Sequence, residues 1–132
     1  MAPSREELLT EFVALLKTEG RRGVLGLNCA LGSDGLHFVQ SGIHFTGVDP
    51  VEENVHTARA RGLDVAVAGP GSLPFANAAF PSVWAADALA GLPPEQWAGV
   101  VRELERVTAP GAPIAVVLPE PEQGFRILRS PA

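Results

Sequence analysis

Apolar residues recur at helical spacing at the start of the chain. Five of them share one face of a 3.6-residue period: Leu8, Leu9, Phe12, Leu15 and Leu16. Ser4 and Glu7 precede this face in the pattern of a capping box, and Gly20 follows it as a residue suited to end a helix. The pattern predicts an N-terminal helical segment over residues 1–20.

Short apolar runs then alternate with helical periods. The runs predict five strands, over residues 24–28, 44–48, 63–68, 82–86 and 114–118. Helices are predicted over residues 36–41 and 51–61, and a third begins at Pro93 and includes Val107. Asp49 is the expected N-cap of the second of these helices, and Pro50 its first residue.

This alternation of strands and helices predicts a mostly parallel sheet covered on both faces. In such a sheet, ligands bind beyond the carboxyl ends of the strands. The segments that follow the predicted strands are therefore the candidate binding residues: 28–35, 49–50, 69–75 and 86–92.

The length of 132 residues predicts one domain, residues 1–132, with a helical segment (1–20), a core sheet (23–118) and a tail (119–132). The net charge is −5 and no run of five like charges occurs, which argues against nucleic acid as a partner. A single cysteine excludes an internal disulfide framework, and three histidines on separate elements give no metal-ligand spacing. We therefore expect no metal site.

The chain has no apolar run near 18 residues and no secretory signal at its N-terminus. These features predict no contact with a membrane and a cytoplasmic location. The abundance of Ala, Gly, Pro and Arg is typical of a GC-rich bacterial genome.

Four groups of residues follow one another in a recognisable order: VLGLNCALG at 24–32, GVDP at 47–50, LPF at 73–75 with Phe80, and ELERV at 103–107 with Pro110 and Gly111. Their order and spacing resemble the class I S-adenosylmethionine-dependent methyltransferases. The resemblance runs from about residue 23 to residue 118. It implies an α/β, Rossmann-like fold with a five- or six-stranded, mostly parallel sheet and helices on both faces.

The resemblance also implies the positions of the cofactor site: Gly26, Asn28, Ala30, Gly32, Asp49, Pro50, Gly69 and Ser72. The family's acid at the end of strand one falls on Gly26, and its acid after strand three, which contacts the adenine, falls on Gly69. The three glycines of the first loop fall on Asn28, Ala30 and Gly32. Only Gly32 and Asp49, the acid that holds the ribose, match the family pattern.

Each hydrogen bond to a charged group contributes about 1.5–3 kcal/mol, so the loss of two acids weakens cofactor binding by about 10²-fold or more. The preferred hypothesis is a degenerate methyltransferase fold, a pseudo-enzyme without a cofactor that acts as a binding or regulatory partner. The alternative is an active enzyme that methylates a small molecule. In that case S-adenosylmethionine is the cofactor and Asp87, which follows strand four, is the candidate general base.

Members of this family normally continue beyond strand five into an antiparallel pair of strands. Residues 119–132 leave room for one short strand at most, so we expect all or part of that pair to be missing. Strand five is then an expected edge, covered either by the apolar residues Phe125–Leu128 or by another chain. We therefore expect a homodimer or a protein partner at an exposed sheet edge.

Overall fold

The computed structural model describes residues 3–118 and 124–131, in which the chain forms four helices and six strands. The helices are α1 (Arg5–Thr18), α2 (Ser33–Gln40), α3 (Glu52–Ala60) and α4 (Pro94–Val107). The strands are β1 (Gly23–Leu27), β2 (His44–Asp49), β3 (Asp64–Val67), β4 (Val83–Ala85), β5 (Pro113–Leu118) and β6 (Gly124–Arg129). The remaining parts of the predicted N-terminal segment and tail lie outside the described residues.

The strands form one sheet in the order β3-β2-β1-β4-β5-β6. The first five strands are parallel, and β6 runs antiparallel to β5. The predicted five- or six-stranded, mostly parallel sheet is thus confirmed, with six strands. Strand order reverses between β1 and β4, and the carboxyl ends of these two strands flank the crevice where such sheets bind ligands.

Helices cover both faces of the sheet, as predicted. On one face, α1, α2 and α3 pack over an aromatic group whose neighbouring ring centroids lie 5.4–6.2 Å apart: Phe12, Phe38, Phe45 and Trp84. On the other face, α4 buries Val100, Leu104 and Val107 against the strands. None of the described helices is long and apolar enough to cross a membrane.

The predicted capping box at the start of α1 is confirmed. The Ser4 hydroxyl oxygen accepts a hydrogen bond from the Glu7 backbone N–H at 3.1 Å. The Glu7 carboxylate accepts one from the Ser4 backbone N–H at 3.3 Å. These two bonds satisfy backbone donors that the helix itself leaves unpaired. They fix the position of Arg5, the first residue of the helix.

Two predicted helix starts are wrong. Helix α3 begins at Glu52 with Val51 as its N-cap, so Asp49 is not the N-cap and Pro50 is not the first helical residue. Asp49 instead ends β2, and its carboxylate bonds the Val51 backbone N–H in the turn before the helix. Helix α2 begins at Ser33, three residues before the prediction, because Gly32 at φ 96° turns the chain directly into the helix.

Strand five is not an edge of the sheet, because the chain's own last strand covers it. Strand β6 pairs with β5 along its length, from Pro113 opposite Arg129 to Leu118 opposite Gly124. The apolar residues 125–128 therefore cover β5, which was one of the two expected ways of protecting it. In the described part of the chain, the outer side of β6 becomes one edge of the sheet.

Candidate functional site

The loop between β1 and α2 has positive φ angles, which favour glycine, at two positions where the chain has Asn28 and Ala30. Asn28 has φ 51°, Ala30 has φ 49° and Gly32 has φ 96°. A left-handed conformation costs a residue with a Cβ about 1–2 kcal/mol, although Asn tolerates it better than most. An added Cβ at Gly32 would meet Leu63 Cδ1 at 2.5 Å, so the Leu63 side chain would have to move to admit a larger residue. The loop thus follows the course of a glycine loop without two of the glycines.

Asp49 lies directly beneath this loop, with 4% of its surface exposed. Its Oδ2 accepts a hydrogen bond from the Ala30 backbone N–H at 2.9 Å. Its Oδ1 accepts from the Val51 backbone N–H at 2.9 Å and from Asn54 Nδ2 at 3.1 Å. Both oxygens of this carboxylate are therefore bonded to groups of the chain itself, which ties the β1–α2 loop to the start of α3.

The ring of Phe45 fills the space beside Gly26. An added Cβ at Gly26 would lie 2.5 Å from Phe45 Cε1. The same ring lies 2.7 Å from an added Cβ at Gly35 and 2.7 Å from one at Gly47. Phe45 is itself buried, with 3% exposed, so its ring has little room to move. The space that a carboxylate at position 26 would enter is occupied by an aromatic ring.

Arg5 reaches from α1 to two carboxylates at the mouth of the crevice. Its Nε donates to both oxygens of Asp34 at 3.1 Å, and its Nη2 also bonds Asp34. Its Nη1 and Nη2 donate to Asp87 at 3.1 and 2.8 Å. Trp84 Nε1 donates to Asp34 Oδ2 at 3.0 Å. Hydrogen bonding to Asp34 is the main cause that raises the pKa of Arg5 above its ordinary value.

These groups border a cleft of about 340 Å³, lined by residues 28–31, Ser33, Asp34, Arg5 and Asp87. The buried Oδ1 of Asn28 has no hydrogen-bond partner in the part of the chain that the structure describes. Burial raises the pKa of the Cys29 thiol to about 11, so this side chain stays protonated at neutral pH. The structure therefore brings Asn28, Ala30 and Asp87 together around one cleft.

The other predicted site residues lie apart from this cleft. Pro50 is exposed in the turn between β2 and α3. Gly69 follows β3, and an added Cβ there would meet no atom within 4 Å. Ser72 is exposed, and its backbone N–H bonds the Gly69 carbonyl oxygen at 3.4 Å. Among the residues described, no group of three His, Cys, Asp or Glu side chains is placed to hold a metal ion.

The role of Arg5 was missed by the sequence reasoning. Its two partners lie 29 and 82 residues away, so no local pattern connects them. The ring of Phe45 was missed for the same reason, since its contact with Gly26 depends on how β1 and β2 pair. The positions of its partners, Asp34 in the first loop and Asp87 after strand four, were visible in the sequence, but their link through Arg5 was not.

Solved structures with the same fold include proteins from two archaea. A protein from Pyrococcus horikoshii OT3 has a TM-score of 0.72 and 24% identity, covering 85% of this chain and 56% of that chain. A SAM-dependent methyltransferase from Methanosarcina mazei has a TM-score of 0.68 and 21% identity, covering 71% and 50%. The [4+2]-cyclase SpnF has a TM-score of 0.68 and 24% identity, covering 87% and 46%.

The chain spans about half the length of these solved structures. At such identities the likeness establishes the fold alone. The sequence comparison goes further, because residues 24–111, more than half of the chain, match the family described as "Methyltransferase domain". The chain belongs to the methyltransferase domain family.

Proposed function

We propose that this protein is a methyltransferase-fold protein that does not hold S-adenosylmethionine productively and acts as a non-catalytic binding or regulatory partner. The observation that carries the proposal is the state of Asp49. It is the one acid of the family's cofactor pattern that the chain keeps, yet only 4% of it is exposed and both of its oxygens accept hydrogen bonds from the chain.

The ribose hydroxyls of the cofactor need a carboxylate that can accept their hydrogen bonds. Oδ1 of Asp49 already accepts two hydrogen bonds and Oδ2 accepts one, which leaves at most one acceptor position on a residue that is 4% exposed. A second bond from the ribose would have to replace one of the existing bonds, each worth about 1.5–3 kcal/mol, so that exchange gains little. The existing bonds and the burial of Asp49 argue against a ribose at this residue.

The two other acid positions of the family pattern give no replacement. At position 26 the ring of Phe45 occupies the space of a side chain. At position 69 there is space, but glycine offers no carboxylate. The loss of these two hydrogen-bonding groups weakens binding by about 10²- to 10⁴-fold, and the engagement of Asp49 weakens a third contact. A dissociation constant of about 1 µM would then rise above about 1 mM.

Arg5 engages the two carboxylates at the mouth of the cleft. Its guanidinium donates to Asp34 and to both oxygens of Asp87. Asp87 is thus already bonded to a cation of the chain, which argues against its acting as a general base.

A second candidate function is favoured by the β1–α2 loop. Its backbone keeps positive φ angles at Asn28 and Ala30, and the buried Asn28 Oδ1 would accept a hydrogen bond from a ligand. In an active S-adenosylmethionine-dependent enzyme, these two features would receive the cofactor and Asp87 would face a small-molecule substrate. The fold does not decide between the candidates, since one similar structure is a [4+2]-cyclase.

Calorimetric titration of the chain with S-adenosylmethionine and S-adenosylhomocysteine tests the proposal. We expect no saturable heat at ligand concentrations up to about 1 mM. The Arg5→Met variant is the matched control: it removes the cation at the mouth but leaves Asp49 closed, so it should be equally silent. Micromolar binding to the unaltered chain would favour the active enzyme and contradict the proposal.

A further inference from the structure

We propose that two copies of this chain pair edge to edge through β6, antiparallel about a twofold axis at Ile127, so that the two sheets become continuous. This inference goes beyond the proposed function, because it does not depend on what the crevice binds. The partner is a second copy of the same chain, and the outward backbone groups, charges and apolar residues of β6 support this pairing.

The first observation is the direction of the outward backbone groups on β6. The Ser130 backbone N–H donates to the Ala112 carbonyl oxygen at 3.0 Å, and the Ser130 carbonyl accepts from the Gly111 N–H at 2.9 Å. Ser130 therefore faces β5. Because such groups alternate along an antiparallel strand, Phe125, Ile127 and Arg129 point their N–H and C=O groups to the outer side. The Phe125 carbonyl oxygen accepts a hydrogen bond from Arg126 Nη1 at 3.0 Å, an exposed bond that a second copy would replace.

The second observation is that one register pairs β6 with itself without conflict. With the axis at Ile127, this residue lies opposite Ile127 of the second copy, and Phe125 lies opposite the second copy's Arg129. Arg126 lies opposite Leu128. The outward N–H and C=O groups of the two copies can then form hydrogen bonds with each other. Residues on the same face of the two strands lie side by side, and no residues of like charge lie directly opposite each other.

Other registers fail on one of these conditions. An axis at Arg126 or at Leu128 brings the inward-facing residues of β6 opposite each other, so their backbone groups cannot bond across the interface. An axis at Arg126 also places two arginines in contact. An axis at Arg129 opposes two arginines on the other face, which costs stability. An axis at Phe125 would pair only residues 124–126 of the described strand with their counterparts. A twofold axis at Ile127 pairs a longer stretch of β6, and such an axis gives a closed dimer.

The third observation is the surface that surrounds this edge. Ile127 and Val117 are each 37% exposed, a high value for apolar side chains in a sheet. Val117 pairs with Phe125 across β5 and β6, so all three lie on the face that carries α1. Arg129 does not oppose the approach of a second copy, because Glu19 binds its guanidinium at 2.6 and 2.8 Å.

The opposite edge of the sheet is less suited to this role. Strand β3 is only four residues long, against six in β6, and it begins with the exposed Asp64. It does carry one exposed apolar residue, Val67, which is 52% exposed against 37% for Ile127. Val67 therefore provides a control position of similar chemistry on an edge that should not form the dimer.

Sedimentation velocity on the chain and on variants at Ile127 tests the inference. The unaltered chain should sediment with twice the 13.8 kDa mass of one copy at about 100 µM. Ile127→Glu and Ile127→Lys should each lose the dimer, since like charges then meet at the axis. An equal mixture of the two variants should restore the dimer mass, because glutamate then faces lysine. The control Val67→Glu should remain a dimer.

Three results would overturn the inference. The first is a monomer mass for the unaltered chain at that concentration. The second is a dimer that survives Ile127→Glu with undiminished affinity. The third is a mixture of Ile127→Glu and Ile127→Lys that stays monomeric while both variants keep the far-ultraviolet circular dichroism of the parent. The mixture also separates loss of the interface from loss of the fold.

Discussion

At the scale of single residues, Asp49 matches the family pattern, but its carboxylate forms hydrogen bonds within the protein that stabilise the fold. An acid that holds a ligand usually lowers the stability of the ligand-free protein, because its oxygens lack hydrogen-bond partners until the ligand binds. Asp49 instead bonds three donors of its own chain. The two interpretations therefore predict opposite effects on stability when this carboxylate is changed.

Asp49→Asn should lower the free energy of unfolding by about 1.5–3 kcal/mol, because one amide N–H₂ must then face a backbone or side-chain donor. Urea denaturation measures the change. Asp64→Asn, an exposed acid at the start of β3, is the control and should stay within about 0.5 kcal/mol of the parent. A variant Asp49→Asn as stable as the parent would indicate an acid reserved for a ligand.

Ala30→Gly should raise the free energy of unfolding by about 0.5–1 kcal/mol. Ala30 has φ 49°, which glycine adopts without strain, although glycine also gains freedom in the unfolded chain. Ala14→Gly, at an exposed position inside α1, is the control and should cost about 1 kcal/mol. If Ala30→Gly destabilises like Ala14→Gly, the loop does not hold the left-handed conformation.

Gly26→Ala should destabilise the protein by about 1–3 kcal/mol, because its Cβ would overlap the buried ring of Phe45. Combining it with Phe45→Leu should recover part of this loss relative to Phe45→Leu alone. Gly69→Ala, where an added Cβ meets nothing within 4 Å, should be nearly neutral. Thermal denaturation compares the variants, and an equal cost at both glycines would exclude the ring as the cause.

At the scale of elements, sequence periodicity located most strands and helices but not their relations. The apolar runs predicted β1 to β5 because buried parallel strands are apolar throughout. The start of α3 was missed because an acid followed by proline is also a common pattern at a helix start. In the structure the Asp49 carboxylate instead accepts a hydrogen bond from the Val51 backbone N–H within the turn before the helix. Strand β6 was left undecided, since Arg126 and Arg129 interrupt its apolar residues.

The contact between α1 and β6 gives a prediction for pH. Arg129, and after it Arg21, lower the pKa of Glu19 from 4.5 to about 2 through hydrogen bonds. A carboxyl group with a lowered folded-state pKa stabilises the fold above its unfolded value, and this contribution is lost as the pH falls from about 4.5 towards 2. The free energy of unfolding should therefore decline as the pH falls across that range, and a share of this decline should come from Glu19.

Glu19→Gln should remove that share, so its unfolding free energy should fall less steeply between pH 4.5 and pH 2 than that of the parent. Urea denaturation at a series of pH values measures the slope. Glu11→Gln, at an exposed position on the same helix, should leave the slope unchanged. A parental slope in Glu19→Gln would show that the link between Glu19 and Arg129 does not persist in solution.

At the scale of the whole molecule, the sheet and its crevice are those of the family. The carboxylates around the crevice, however, form hydrogen bonds with groups of the chain itself. Asp34 and Asp87 are bonded to Arg5, and Asp49 to the loop above it. The sequence revealed which family acids are absent, because those positions lie in motifs. It did not reveal how the remaining acids are engaged, because Arg5 is distant in the chain.

The most direct test of this account follows the amide signals of Ala30 and Val51, the two backbone donors to Asp49, by nuclear magnetic resonance. S-adenosylhomocysteine, which lacks the sulfonium charge, is added to the ¹⁵N-labelled chain. The account predicts that neither amide shifts at ligand concentrations up to about 1 mM. Saturable shifts of both amides at micromolar ligand would contradict it.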